Sequence, residues 1–235
     1  MSGKRRRPLR TLIIVLVVLG VLLVGADRAA EAFAENRLAT TAAQEAAQYD
    51  VKAADTSVEI GGFGFLPQVA RERFDSITMT MQDPTIESVP AEDLVVTMNS
   101  VHVPRALLTG GDGPIVVDTA DVRIRVSPST LTRFAAVEGL SLRTVDGKLE
   151  AQLKVLGAEA SVTVRPQVVS GGRIQLIADK LPGDVPAAVR RAVDRLLARG
   201  IRLPRLPFGA SLKEISVQDQ SVVITATAAD LKLRG

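Results

Sequence analysis

Lys148-Leu149-Glu150-Ala151-Gln152-Leu153-Lys154-Val155 places an apolar side chain at every second position and a charged or amide side chain between. Side chains of an extended strand point alternately to opposite faces, so this octet has one oily and one wet face. That pattern marks a half-buried antiparallel strand. Asp146-Gly147 before it and Gly157 after it are turn residues at hairpin spacing. Outward from here the same period recurs at residues 57–62, 74–81, 94–103, 121–126, 159–164, 173–178, 212–217 and 221–226. Gly110-Gly111-Asp112-Gly113, Gly171-Gly172 and Asp219-Gln220 punctuate the runs.

Helical periods interrupt the strands. A short helix is expected from Ser127-Pro128-Ser129, with Leu131, Phe134 and Ala135 inward. A longer one is expected over 185–199, with Asp184 as N-cap, Pro186 in the first turn and Gly200 past the end. Its stripe is Val185, Val189, Ala192, Val193, Leu196 and Leu197. Over 30–49, Ala30, Phe33, Ala34, Leu38, Ala42, Ala46 and Tyr49 recur at helical intervals, with Glu31, Glu35, Arg37 and Glu45 mostly on the other side. This amphipathic helix is expected to pack its apolar side, Phe33 and Leu38 included, on the domain. The sum is an α+β fold, a long curled antiparallel sheet wrapped around helices. Such a sheet offers more apolar surface than these helices cover, which suits a groove for acyl chains; an ordinary filled core is the alternative.

Lys4, Arg5, Arg6, Arg7 and Arg10 lead into an apolar run over 12–26. Cations before an uncharged hydrophobic segment direct export, with the remainder outside the cytoplasm. Fifteen helical residues span roughly 22 Å, short of a roughly 30 Å hydrocarbon core. That length fits a signal peptide cleaved after Ala26, giving a secreted or periplasmic product. The good helix formers over 29–47 favour an uncleaved single-pass anchor in the cell membrane. The organisation read from this is 1–26 basic end and membrane or signal segment, 27–50 amphipathic helix, and 51–235 α+β domain.

Residues 1–26 hold five of the 29 cations and no acid, leaving 24 basic against 26 acidic residues, net −2. Nucleic-acid binding needs excess positive charge on the folded domain, so nucleic acid is excluded as a partner. With no cysteine or tryptophan and one tyrosine, the core is aliphatic, suited to acyl chains rather than to stacking sugars or bases.

Catalytic chemistry finds little footing. There is no thiol, no G-x-S-x-G or S-x-x-K, and a single histidine, His102, expected to face outward from its strand. Acids are scattered rather than clustered at ligand spacing, so no metal or cofactor is expected, nor an enzyme. Gly61-Gly62-Phe63-Gly64-Phe65-Leu66-Pro67 lacks the third glycine of a dinucleotide loop. It reads as an irregular turn exposing large apolar side chains, either a cap on the core or a hydrophobic lip. Residues 203–209, Leu203-Pro204-Arg205-Leu206-Pro207-Phe208-Gly209, repeat the theme.

These features resemble the LmeA-like family of actinobacterial cell-envelope phospholipid-binding proteins. The resemblance rests on the basic-apolar N-terminus running into an Ala-rich helix and on Val58-Glu59-Ile60-Gly61-Gly62-Phe63-Gly64-Phe65-Leu66-Pro67-Gln68. It continues through the 74–81 strand and Leu203-Pro204-Arg205-Leu206-Pro207 ahead of 212–233. It implies a fold similar to tubular lipid-binding domains, a phospholipid partner and a place in the cell envelope, and it carries over no catalytic residue. Gly64 stands where the family's loop would hold a proline, which implies a more flexible loop here.

The combined expectation is a non-enzymatic phospholipid-binding protein, tethered through its N-terminal segment. Acyl chains lie against Ile77, Met79, Met81, Val96 and Met98 and the helix positions Val189 and Val193, with Phe63, Phe65 and Leu66 at the entrance. The rival is an envelope scaffold with a filled core and no lipid ligand, recruiting a glycan-synthesising or transport partner through its exposed sheet edge.

Overall fold

The computed structural model describes residues 7–48, 50–86, 88–108, 113–135, 139–155, 158–169, 173–179, 191, 197, 201–202 and 210–234. Helix α1 (Arg7–Gln48) is one continuous helix with no break at residue 26. Its 42 residues run for roughly 63 Å at 1.5 Å each. Side chains from Ile13 to Val24 are exposed, whereas the later turns lie along the edge of a sheet.

The face that α1 turns to the domain matches the expected one at Ala30, Ala34, Ala42 and Ala46 and departs from it at Phe33, Leu38, Glu31 and Glu35. Asp27, Ala30, Glu31, Ala34, Glu35, Ala39, Ala42, Ala43 and Ala46 are the less exposed positions, while Phe33 is 69% exposed and Leu38 lies outside. The reason is hydrogen bonding. The neighbouring sheet edge and turn present backbone N–H groups that need acceptors. Asp27 and Glu35 supply them, and the alanines let the helix come close.

Six strands form the larger sheet: β2 (Asp55–Gly61), β3 (Arg73–Gln82), β6 (Asp93–His102), β7 (Pro114–Val126), β13 (Ser211–Gln218) and β14 (Ser221–Arg234), in the spatial order β13-β14-β7-β6-β3-β2. Five form the second: β8 (Leu140–Val145), β9 (Lys148–Val155), β10 (Ala158–Val169), β11 (Arg173–Ala178) and β12 (Ile201–Arg202). β1 (Val51–Lys52), β4 (Thr85–Ile86) and β5 (Val89–Pro90) make a small third sheet. The recorded pairings are all antiparallel. The α+β class with large antiparallel sheets is therefore as expected, with the strands shared between sheets.

The short helices α2 (Phe65–Ala70), α3 (Arg105–Leu108) and α4 (Pro128–Ala135) join these strands. α4 begins where Ser127 caps it, its Oγ accepting from the Thr130 N–H at 3.3 Å. α2 replaces the irregular turn expected at Pro67. Proline sits in the first helical turn, where its missing N–H has no intrahelical partner to lose.

Two apolar clusters result. The larger joins β8–β11 to β13, β14 and α4 through Leu131, Leu142, Leu149, Leu153, Ile174, Val222 and Ile224, with Leu197 buried among them. The smaller, at the other end of the six-stranded sheet, gathers Ile60, Phe74, Ile77, Val101, Val117 and Ala120, with Ala34 of α1 packed against it. Most of the helix expected over 185–199, including Val189 and Val193, and the loop over 203–209 lie outside the described residues.

Candidate functional site

The register of the six-stranded sheet lines up one face in rows. Ile60, Ile77, Met98, Ala120 and Ala228 are successive cross-strand partners. Val58, Met79, Val96, Val122 and Ala226 form the next row, and Thr56, Met81, Leu94, Ile124 and Ile224 the third. Side chains two residues apart share a face, so the rows make one apolar surface. The structure thus brings Ile77, Met79, Met81, Val96 and Met98 together, with Ile77 opposite Met98 and Met79 opposite Val96.

Burial is uneven across that surface. Ile77 belongs to the smaller cluster, and Ile224 in the third row to the larger. Between them Met79, Val96 and Val122 are half-buried and belong to neither. The opposite face of the sheet is polar. There Thr78 meets Thr97 at 3.4 Å, Thr227 donates to Asp121 at 2.8 Å, and a hollow of about 520 Å³ is lined by Thr97, Asp121, Arg123, Thr225 and Thr227 together with Val95, Val122 and Ala226. His102 is exposed, as expected. Among the described residues no group of three His, Cys, Asp or Glu is placed to hold a metal ion.

At one end of the apolar surface lies the turn at residues 61–66. β2 delivers it, Gly62 (φ 109°) and Gly64 (φ 74°) bend it, and Phe63 between them is 90% exposed. Leu66 is exposed, while Phe65 turns inward to Phe74 with ring centroids 6.1 Å apart. Phe63 and Leu66 are therefore set apart from the sheet residues, and Phe65 joins the smaller cluster.

Two polar residues hold this turn, and the sequence pattern gives neither a role there. Asp27 accepts hydrogen bonds from the Phe65 N–H at 3.0 Å and the Leu66 N–H at 2.7 Å. Gln68, fully buried, donates from Nε2 to the Gly61 carbonyl at 3.2 Å and accepts at Oε1 from the Asp75 N–H at 2.8 Å. Glu35 accepts from the Ile60 N–H at 2.8 Å, and an ion pair joins Arg28 to Glu31. A hollow of about 500 Å³ lies between α1 and β2, lined by Arg28, Glu31, Glu35, Glu59 and Gly62. Asp27 follows the apolar run directly, but nothing in sequence links it to a turn nearly forty residues on.

Gly64 stands where the resemblance implies a proline, and its backbone suits the glycine. A proline is locked near φ −65°, whereas this residue adopts φ 74°. The turn is tied down by Asp27 and Gln68, so the expected looseness does not follow from the glycine. Gly64→Ala should cost about 1–3 kcal/mol, since φ 74° with ψ 121° lies outside the regions open to other residues and an added Cβ would stand 3.2 Å from Pro67 Cγ; chemical denaturation would measure it. An unchanged unfolding midpoint would show that the turn has another conformation in solution.

The Leu66 and Phe65 N–H groups, in that order, favour the charged form of Asp27 and hold its carboxyl below its ordinary 3.8. A depressed folded value contributes stability that is complete above the unfolded value and lost as pH falls through the folded one. The Phe65 and Leu66 amide signals should therefore shift together with a midpoint below 3.8 in an NMR titration. A midpoint at or above that value would mean that the carboxylate does not hold the turn.

No curated protein and no solved structure matches the chain. The model of the LmeA-like phospholipid-binding family matches residues 25–227, from the end of the apolar run through both large sheets. The chain belongs to the LmeA-like phospholipid-binding family.

Proposed function

We propose that this chain is a membrane-tethered protein of the cell envelope that binds phospholipid without catalysing a reaction on it. Helix α1 anchors it, with the sheets outside the cytoplasm, and acyl chains lie across the apolar rows of the six-stranded sheet. The observation that carries the reading is the half-buried row through Met79, Val96 and Val122, which neither apolar cluster absorbs. Those three residues, on adjacent strands at about 4.8 Å spacing, leave about 10 Å of the row open, between Val58 packed on the smaller cluster and the buried Ala226. One leaflet of a roughly 30 Å hydrocarbon core gives an acyl chain about 15 Å, so the open part covers most of one chain's length. Each buried methylene contributes roughly 0.8 kcal/mol, less the cost of ordering the chain.

The test uses the full chain in vesicles containing a phospholipid with a photoactivatable group in its acyl chain. Mass spectrometry should locate adducts on β3 and β6 around Met79 and Val96 as well as on the apolar part of α1. Adducts confined to α1 would favour the filled-core scaffold instead.

A further inference from the structure

We infer that the turn bearing Phe63 and Leu66 is a bilayer-contacting surface, and that Asp27 holds it at the level where α1 leaves the membrane. The inference rests on α1 being the anchor proposed above. The exposed apolar stretch of α1 ends at Ala26, and the next residue, Asp27, is the one that binds the turn. Glu35, eight residues further along the helix, binds Ile60 of β2. Eight residues rise about 12 Å, so β2 descends beside α1 towards the bilayer and delivers its turn at the surface.

What the turn presents there fits a lipid surface. Phe63 is 90% exposed, more than any other large apolar side chain among the described residues, and Leu66 is 45% exposed. Two glycines with positive φ present that phenyl ring outwards, and side chains rarely adopt such backbone. Phenylalanine and leucine are among the side chains that surface-bound segments bury at the headgroup–acyl boundary, and here the neighbouring surface is the proposed membrane segment itself. Phe65 of the same turn points inward to Phe74 in the smaller cluster, which contains Ile77. The turn therefore joins the bilayer surface to the apolar rows.

The chain has no tryptophan, so single substitutions serve as reporters. Leu19→Trp, Phe63→Trp and Val145→Trp full-length proteins are reconstituted in phosphatidylglycerol–phosphatidylcholine vesicles, with and without brominated acyl chains. Leu19→Trp reports on the anchor and Val145→Trp on the second sheet. Phe63→Trp should emit to the blue of Val145→Trp and be quenched by bromine, and should lose most of that quenching when Asp27→Ala is added. Asp27→Asn, which keeps one acceptor oxygen, should retain part of it, and circular dichroism checks that each variant is folded. Quenched Leu19→Trp beside unquenched Phe63→Trp overturns the inference and leaves the anchor standing. Unquenched Leu19→Trp overturns both. Phe63→Trp quenching that survives Asp27→Ala in full removes the role given to Asp27.

Discussion

Val96→Asp should abolish acyl-chain adducts on the six-stranded sheet while the protein stays folded. Val96 lies mid-row between Met79 and Val122, half-buried and outside both clusters, so a short polar side chain there does not empty a packed core. A bound hydrocarbon chain would cover the new carboxylate, which must then be desolvated or neutralised. Burial raises carboxyl pKa values by up to about 3–5 units, each unit equivalent to 1.36 kcal/mol. Phospholipid affinity should therefore fall by roughly two to four orders of magnitude. Val96→Thr, similar in shape and uncharged, should lose far less. Adducts on β3 and β6 undiminished in Val96→Asp would place the lipid somewhere else.

Gln68→Met should produce the largest loss of stability among single changes around the turn. The ladder between β2 and β3 ends at the pair Gly61 and Ser76, and beyond it the Gln68 amide bridges Gly61 to Asp75. Methionine has a similar length but offers neither donor nor strong acceptor. Gln68 is fully buried, so water does not stand in for it. Leaving two backbone groups unsatisfied costs about 1–3 kcal/mol each. At about 2–4 °C per kcal/mol for a chain of this size, the unfolding temperature should drop by roughly 4–24 °C. A drop of under about 2 °C would show that the strands close without the bridge.

The strands that could be read from sequence are those whose alternation is unbroken, as over Lys148–Val155, which is β9. β14 extends well beyond the alternating run at 221–226, where Asp230 at φ 54° interrupts the period, and β7 extends beyond 121–126 through Ile115-Val116-Val117, which do not alternate. β8 passed unnoticed although Leu140 and Leu142 alternate, since it is short and carries Arg143 and two hydroxyl residues. Of the apolar surface, Ile77, Met79, Met81, Val96 and Met98 could be identified because alternation assigns faces within a strand. Val58 and Val122 completing the Met79 row is a matter of register between strands, which alternation does not encode. The face of α1 was misread for a chemical reason. Hydrophobic periodicity takes acids as solvent-facing, whereas Asp27 and Glu35 turn in to serve peptide N–H groups.

The unbroken course of α1 has a mechanical consequence. A carrier on a loose leash can swing across to a second membrane and unload there. This domain is instead bolted to its own mast at Asp27 and Glu35, with no swivel in the 42 residues of helix. With α1 as the proposed anchor, its altitude and heading are set together.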